Sequence, residues 1–513
     1  VFRSLRHMAR LARAGRVIAR HGGIVAPQQL EQAPLAARAA LKVAGLGPRP
    51  QSAREGLSPV SAALAELGPS WIKLGQFLAT RPDIVGMERA MELTELQDRL
   101  PPFSMEEARG EIESGLGRPL GEVFSEFGEP VAAASIAQVH RAVTTDGRPV
   151  AVKILRPGVE RRFDDDLGDF YFAARMIERF HPPSRRLKPV EVVDTLAHSV
   201  RLEMDLRMEA SAMSEMAENT KDDPGFRIPA VDWRRTSRRI LTTEWIDGIP
   251  LSDVEALRAA GHDLDALADT VIQSFLRQTL RDGFFHADMH QGNLFVDRDG
   301  NLVAVDFGIT GRLSPFERRV WAEILHGFIT RDYRRNAEVH FEAGYVPSTH
   351  SVEEFAQALR AIGEPILGQE AEDISMGQLL GQLFKTTERF DMATQPQLLM
   401  MQKTMVVVEG VARTLNPRLN MWTAAEPVVR EWIERHLGPA GRVGEAARQA
   451  RVLGRLPAIL EQAAEASRAL ADMGRAQEEA ARRGTDWKQA APLWIAAAAL
   501  AAMAVAVVWR AVF

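Results

Sequence analysis

The spacing of apolar side chains changes character several times along the 513 residues, and each change marks a segment. In residues 1–20, Leu5, Met8, Leu11 and Ile18 fall on one helical face and Arg3, Arg6, Arg10 and Arg13 largely opposite, which predicts a basic amphipathic helix. Such a helix suits an anionic membrane surface or a groove on its own domain, and the pattern does not choose between them. Residues 45–57 are rich in Pro, Gly and Ser and predict a linker. From Ser58 a helical pattern runs through Leu64 and Leu67, breaks at Gly68-Pro69-Ser70, restarts at Trp71 and ends near Arg81-Pro82. Between residues 123 and 153 the period changes. A small-residue loop, Ala132-Ala133-Ala134-Ser135, precedes two strands joined by a turn at Asp146-Gly147, the second being Val150–Leu155. Residues 190–219 predict one long helix, Arg239–Gly248 a strand ending in a turn, and 251–285 further helix. Leu294–Val305 reads as two short strands joined at Asp299-Gly300. Ser314-Pro315-Phe316-Glu317 is a capping box with Pro at the first helical position, and residues 315–480 follow as almost continuous helix.

Residues 490–509 are twenty residues without a charge, about 30 Å long as a helix. Trp494 and Trp509 near the ends suit interfacial anchors, so a transmembrane helix is expected, with a buried C-terminal helix as the alternative. Arg475, Arg482, Arg483 and Lys488 precede this stretch and only Arg510 follows. That asymmetry predicts that the large N-terminal part lies on the cytoplasmic side, held by a single pass.

Length implies two or three domains. A net charge of −5 gives no global basic field and argues against nucleic acid as the main partner. The chain has no Cys, which excludes disulfides, zinc ribbons and thiol nucleophiles and fits a reducing compartment. Arg residues interrupt the first apolar positions, so no secretory signal is expected.

The candidate chemistry centres on His286–Gly308. Kinase phosphoryl transfer uses a catalytic Asp, an Asn five residues later and the Asp of a following Asp-Phe-Gly. Asp288, Asn293 and Asp306-Phe307-Gly308 match that spacing, with Asn293 and Asp306 as metal ligands. A rival set, His286, Asp288 and His290 around a transition metal, leaves Asn293 and Asp306 without a task. Lys153 on its strand is the expected phosphate lysine and Glu209 its helical partner. The 55 residues between them require an inserted helical element. The loop Ala132–Ser135 sits where phosphates would be covered, but Ala lacks the freedom of Gly at positive φ. Backbone groups near Glu244 and Ile246 are placed to read an adenine edge. After Gly308 only Ile309–Leu313 precede the next helix, which leaves no room for the activation segment that holds a peptide. Lys73 shares a helix face with Gln76 in apolar surroundings, so its ammonium needs an acid. Glu203 or Asp205 can supply it, unless Asp205 simply pairs with Arg201.

Taken together, Lys73-Leu74-Gly75-Gln76, the Ala132–Ser135 loop, Lys153, Glu203-Met204-Asp205 with Glu209, His286–Asn293 and Asp306-Phe307-Gly308 resemble the UbiB atypical kinase-like family over about residues 58–420. Met289 and Gln291 depart from it, since the family usually has Pro there. The resemblance implies ATP and Mg2+ as cofactors and ATPase rather than clear protein kinase activity. It also implies a role in ubiquinone biosynthesis beside membrane lipids, isoprenoid quinone intermediates and quinone-biosynthesis enzymes. In such a protein Lys73, Gln76, Glu203 and Asp205 are regulatory, because the Lys-x-Gly-Gln helices cover the place of a protein substrate. The expected fold is α+β and bilobal, protein-kinase-like, with that helical extension, a helix-rich C-lobe and a C-terminal transmembrane helix. Its expected divisions are 1–57, 58–120 for the extension, 121–248 for the N-lobe, 249–425 for the C-lobe, 426–489 and 490–509.

Overall fold

Alternation along Pro149–Leu155 sets the first layer of the computed structural model, which describes residues 2–21, 58–79, 81–85, 101–180, 188–367, 396–438 and a few isolated positions between them. Val150, Val152 and Ile154 point into a core with Ala108, Ile112, Phe124, Ala142 and Ile240, which leaves Lys153 on the opposite face. The sheet is antiparallel in the order β1 (Phe124–Ala133), β2 (Ala137–Thr144), β3 (Pro149–Leu155), β5 (Ile240–Glu244). It therefore has one strand more before Lys153 than the sequence suggested. Ala132 and Ala133 belong to β1, paired with Val139 and Gln138, and the expected loop shrinks to the hairpin turn at Ala134–Ile136.

Two further sheets carry the second lobe. One has the order β4 (Phe226–Arg227), β9 (Leu302–Ala304), β8 (Leu294–Asp297), β6 (Gly248–Pro250), and the other pairs β10 (Thr310–Arg312) with β7 (Phe284–His286). The β8–β9 turn forms as expected. Asp297 accepts from the Asp299 and Asn301 N–H groups, and Gly300 takes φ +85°.

Helices fill the space between Lys153 and Glu209. With α1 (Phe2–Arg20), α2 (Pro59–Leu67), α3 (Pro69–Ala79) and α4 (Met105–Leu116) preceding the sheet, these are α5 (Val159–Phe180), α6 (Pro189–Glu203) and α7 (Leu206–Thr220). The long helix expected over 190–219 is two. Asp205 leaves helical geometry at φ −118° and caps α7 by accepting from the Arg207 N–H, while the Leu206 N–H goes to the Arg238 carbonyl. A side chain that offers its own backbone an acceptor competes with helix continuation, and here it wins.

The basic N-terminal helix docks on its own chain. Arg10 and His7 reach Asp169 at 2.7 and 2.6 Å, Arg10 also pairs with Asp166, and Arg20 and His21 hold Glu66 at 2.7 and 2.8 Å. Helix α1 thus staples α2 to the acidic side of α5. Trp71 of α3 adds an edge contact to Phe170 of α5, with ring centroids 4.9 Å apart.

In the C-lobe, α8 (Val254–Ala259) leads to α9 (Leu264–Leu276), which passes through a π-turn, Arg277–Asp282, into β7. The capping box at Ser314 and Glu317 starts α10 (Pro315–Ile329), followed by α11 (Tyr333–Glu342), α12 (Val352–Leu367) and α13 (Pro396–Leu415). His340 of α11 is buried with its Nδ1 2.8 Å from the Asn336 carbonyl, and burial pushes its pKa from 6.5 down to about 4. The unfolded chain takes up a proton at the ordinary value while the native state resists it. Stability is therefore full above pH 6.5 and falls as the pH drops toward 4, by about 3 kcal/mol from this group. Urea unfolding at pH 7 and pH 4.5 is expected to give this loss, and His340→Gln to shrink it.

The chain divides into two units, 1–429 and 430–513; the described part of the second is the end of a helix, Met421–Leu437. No helix among the described residues is long and apolar enough to cross a membrane. The expected linker at 45–57 and the expected span at 490–509 lie outside the described residues.

Candidate active site

Strand β3, helix α7 and the turn after β9 bring three charges together. Lys153 Nζ donates to both Glu209 oxygens at 2.8 and 3.0 Å and to Asp306 Oδ2 at 3.1 Å. Desolvation disfavours every one of these charges, strongly for Lys153 and Glu209 and in part for Asp306. For Lys153 the two carboxylates more than compensate and hold it well above the usual lysine range. Partial desolvation also opposes the Asp306 charge, whose carboxyl keeps one side open to solvent, but Lys153 and the Gly308 N–H outweigh it and keep the carboxyl below its ordinary range. Burial raises Glu209, against the pull of Lys153. Two carboxylates around one ammonium leave an excess negative charge. Glu209 is buried, whereas the Asp306 side chain is 44% exposed and can be reached from solvent.

The loop 287–293 is fixed through its backbone. The Asp288 N–H donates to His286 Nδ1 at 3.0 Å, so that nitrogen carries a lone pair. Burial lowers the His286 pKa, in keeping with a neutral ring. The Asp288 carbonyl accepts from the His290 N–H at 2.9 Å and from Asn293 Nδ2 at 3.1 Å. With its amide nitrogen committed, Asn293 keeps its Oδ1 as an acceptor. The Val305 N–H donates to the Asn293 carbonyl at 3.1 Å, which ties Asn293 beside Asp306. Oxygen donors from Asn293 and Asp306, next to an uncompensated anion, fit a hard divalent cation such as Mg2+. The histidine set does not assemble: His286 is fully buried, and among the described residues no group of three His, Asp or Glu converges.

Arg156 braces the β1–β2 turn. The Ala134 N–H reaches the Ala137 carbonyl at 2.8 Å, and the Ala134 carbonyl takes Arg156 Nε at 2.9 Å. Ser135 is fully buried, and its hydroxyl has no hydrogen-bond partner among the described residues. At the end of β5, the Glu244 carboxylate holds Arg227 at 3.1 Å and its N–H meets the Ala230 carbonyl at 2.8 Å. Ile246 is half-buried and makes no backbone hydrogen bond among the described residues.

Of the two acids proposed for Lys73, Glu203 meets it, at 2.7 Å, with side chains 11% and 17% exposed. Asp205 is held by Arg207 at 2.6 Å and works as the α7 cap, so of the two alternatives it is Glu203 that takes the place against Lys73. Gln76 donates to the Leu96 carbonyl at a long 3.5 Å, a contact inside the extension rather than across to the kinase-like lobes. Gly75 lies between them, where a Cβ would come within 2.3 Å of Leu96 Cδ1 and 2.7 Å of Leu64 Cδ1 and would push both leucine ends aside. Two residues escaped the sequence reading. Gln278 accepts the His286 N–H at 3.0 Å, and Arg227 bridges Glu244 to Asp297. Neither position carries a sequence signal: Arg227 reaches Asp297 70 residues on, and Gln278 meets His286 only because the π-turn folds its amide back.

The ABC1 atypical kinase-like domain matches residues 95–340 and the UbiB helical domain residues 359–420. A probable protein kinase UbiB from Marinobacter nauticus is 43% identical over 408 residues, covering 79% of this chain and 74% of the relative. The chain belongs to the UbiB family. A second UbiB relative, from Azotobacter vinelandii, is 41% identical over 397 residues, 76% of this chain and 74% of its own length. Among solved structures, the Rv3197–erythromycin complex from Mycobacterium tuberculosis aligns with a TM-score of 0.53 at 26% identity, over 71% of this chain and 93% of that one. The UbiB chain accordingly has a kinase-like fold, with α1–α3 added before the first lobe and α13 inside the helical-domain match.

Proposed function

We propose that this UbiB-family chain is a membrane-anchored, kinase-like ATPase that binds ATP with Mg2+ and supports ubiquinone biosynthesis. The observation that carries the reading is the convergence of Lys153, Glu209 and Asp306 beside Asn293 and Asp288. In such a site Lys153 neutralises phosphate oxygens, Asn293 and Asp306 would hold the cation, and Asp288, 38% exposed, faces the acceptor. A bound divalent cation would neutralise charge developing on the phosphates. The hinge carbonyl of Glu244 and N–H of Ile246 suit an adenine edge.

Water as acceptor is favoured by the short path from Asp306. Strand β10 follows at once and the Ser314 cap starts α10, so residues 308–314 offer a peptide no platform. The relatives' description as probable protein kinases names the other acceptor class. Purified protein given ATP and Mg2+ is expected to release phosphate without a protein substrate, and no turnover above the Asp306→Asn background overturns the ATPase reading. Quinone profiling of a strain lacking the protein tests the pathway, with an unchanged quinone pool as the adverse result.

Membrane attachment is assigned to residues 490–509, on their uncharged run with Trp at both ends. Deleting residues 490–513 is expected to give a soluble protein that still binds nucleotide. A truncated protein that continues to pellet with membranes after a high-salt wash places the anchor elsewhere.

A further inference from the structure

The peptide unit joining Ala287 to Asp288 is gripped by a side chain at each end. Its N–H, belonging to Asp288, donates to His286 Nδ1 at 3.0 Å. Its carbonyl, belonging to Ala287, accepts from the Thr404 hydroxyl at 3.1 Å, and no other donor among the described residues reaches that oxygen. Ala287 and Thr404 are 7% and 1% exposed, so water is a poor substitute and the carbonyl depends on its one donor. Thr404 comes from the middle of α13, 117 residues from Ala287, and its neighbours Met401 and Val408 are fully buried.

The hydroxyl has a single hydrogen and faces two carbonyls, Ala287 at 3.1 Å and Met400 at 2.8 Å. Met400 stands four residues before Thr404, where helix geometry already gives its carbonyl a backbone N–H. The need lies with Ala287. Rotation of its peptide plane swings the Cα–Cβ bond of Asp288, the residue that faces the acceptor.

We infer that Thr404 is a positioning residue, through which the helical domain sets the direction of the Asp288 carboxylate. This rests on the ATPase reading for its kinetic consequence, though not for its structural one. Losing the hydroxyl frees the Ala287–Asp288 peptide without touching Lys153, Asn293 or Asp306. Turnover falls while nucleotide binding stays.

The test compares the parent with Thr404→Val, close in shape but without the hydroxyl, Thr404→Ser, which restores it, and Val408→Ala, a core truncation one turn further along the same helix. Full-length proteins are assayed for kcat and KM with ATP and Mg2+, for thermal stabilisation by that nucleotide, and for hydrogen exchange of the peptide spanning 284–293. Thr404→Val is expected to lower kcat by about tenfold to a hundredfold at unchanged KM, and to speed exchange in the loop. Thr404→Ser is expected to restore most of the rate, and Val408→Ala to lose stability without loss of kcat. Parent-like kcat and exchange in Thr404→Val overturn the inference. So does a kcat loss that Val408→Ala reproduces. If the parent itself shows no turnover, the ATPase reading falls, and loop exchange alone decides whether Thr404 holds the peptide.

Discussion

Asp306→Asn is expected to abolish stabilisation by ATP and Mg2+ while leaving the protein folded. In the parent, Lys153 is shared between two carboxylates, and Glu209 alone still satisfies it at 2.8 Å after the change. Removing the Asp306 charge takes away the excess anion, so the apo protein has no newly unpaired buried group. The cation, in contrast, loses its only anionic ligand of the Asn293–Asp306 pair. At about a hundred times Kd a ligand stabilises by about 2.7 kcal/mol, enough for a clear thermal shift in the parent. The mutant is expected to show none at the same concentration, with an apo Tm lowered only by the lost contribution of the ionised Asp306 carboxylate. An unchanged ligand-induced shift removes Asp306 from the cation site. Lowering the pH does not imitate the mutation within the working range, because Asp306 is held below its ordinary pKa and stays ionised. Its contribution to stability is present above the unfolded value and is lost only as the pH falls through the depressed one.

Lys73→Ala is expected to unmask autophosphorylation. Lys73 ties the helical extension to the last residue of α6, two positions before the cap of the helix that carries Glu209. A carboxylate at a helix C-terminus is badly placed against the helix dipole, and a cation relieves both the dipole and the burial. Truncating Lys73 leaves Glu203, 17% exposed, without that compensation, at a cost of about 1–3 kcal/mol after allowing for its residual contact with water. The extension then loses a fixed contact with the kinase-like core. Labelled-phosphate incorporation by purified Lys73→Ala, beside the parent and Asp306→Asn, reads the outcome. The Lys73→Ala, Glu203→Ala double mutant separates the loosened contact from a stranded charge, since it lacks the lone carboxylate and is expected to label equally well. Label no greater than in the parent, in a variant that folds and binds ATP, means that the Lys73 contact does not restrain transfer.

Local chemistry made much of this protein readable from its residues. Strand alternation put Lys153 on the face opposite the core, Asp299-Gly300 made the β8–β9 turn, and Ser314 with Glu317 fixed the start of α10. Each depends on neighbours a few positions apart, where backbone geometry and side-chain reach are set by the chain itself. The spacing of Asp288, Asn293 and Asp306 was legible for the same reason, because a short hairpin returns the chain to its start. Tertiary packing decided the rest. One capping aspartate broke the predicted helix and sent Glu203 to Lys73 while retaining Asp205 for itself. Of its two expected places, a membrane surface or its own domain, the N-terminal helix takes the acidic side of α5, since Asp166 and Asp169 needed cations and Arg10 lay within reach. Thr404 acquires meaning only once a helix distant in sequence presses its hydroxyl against the backbone beside His286, and Gln278 only once the π-turn folds its amide back onto the His286 N–H. A buried carbonyl accepts any suitable donor, so sequence spacing carries no mark of which residue will fill the place.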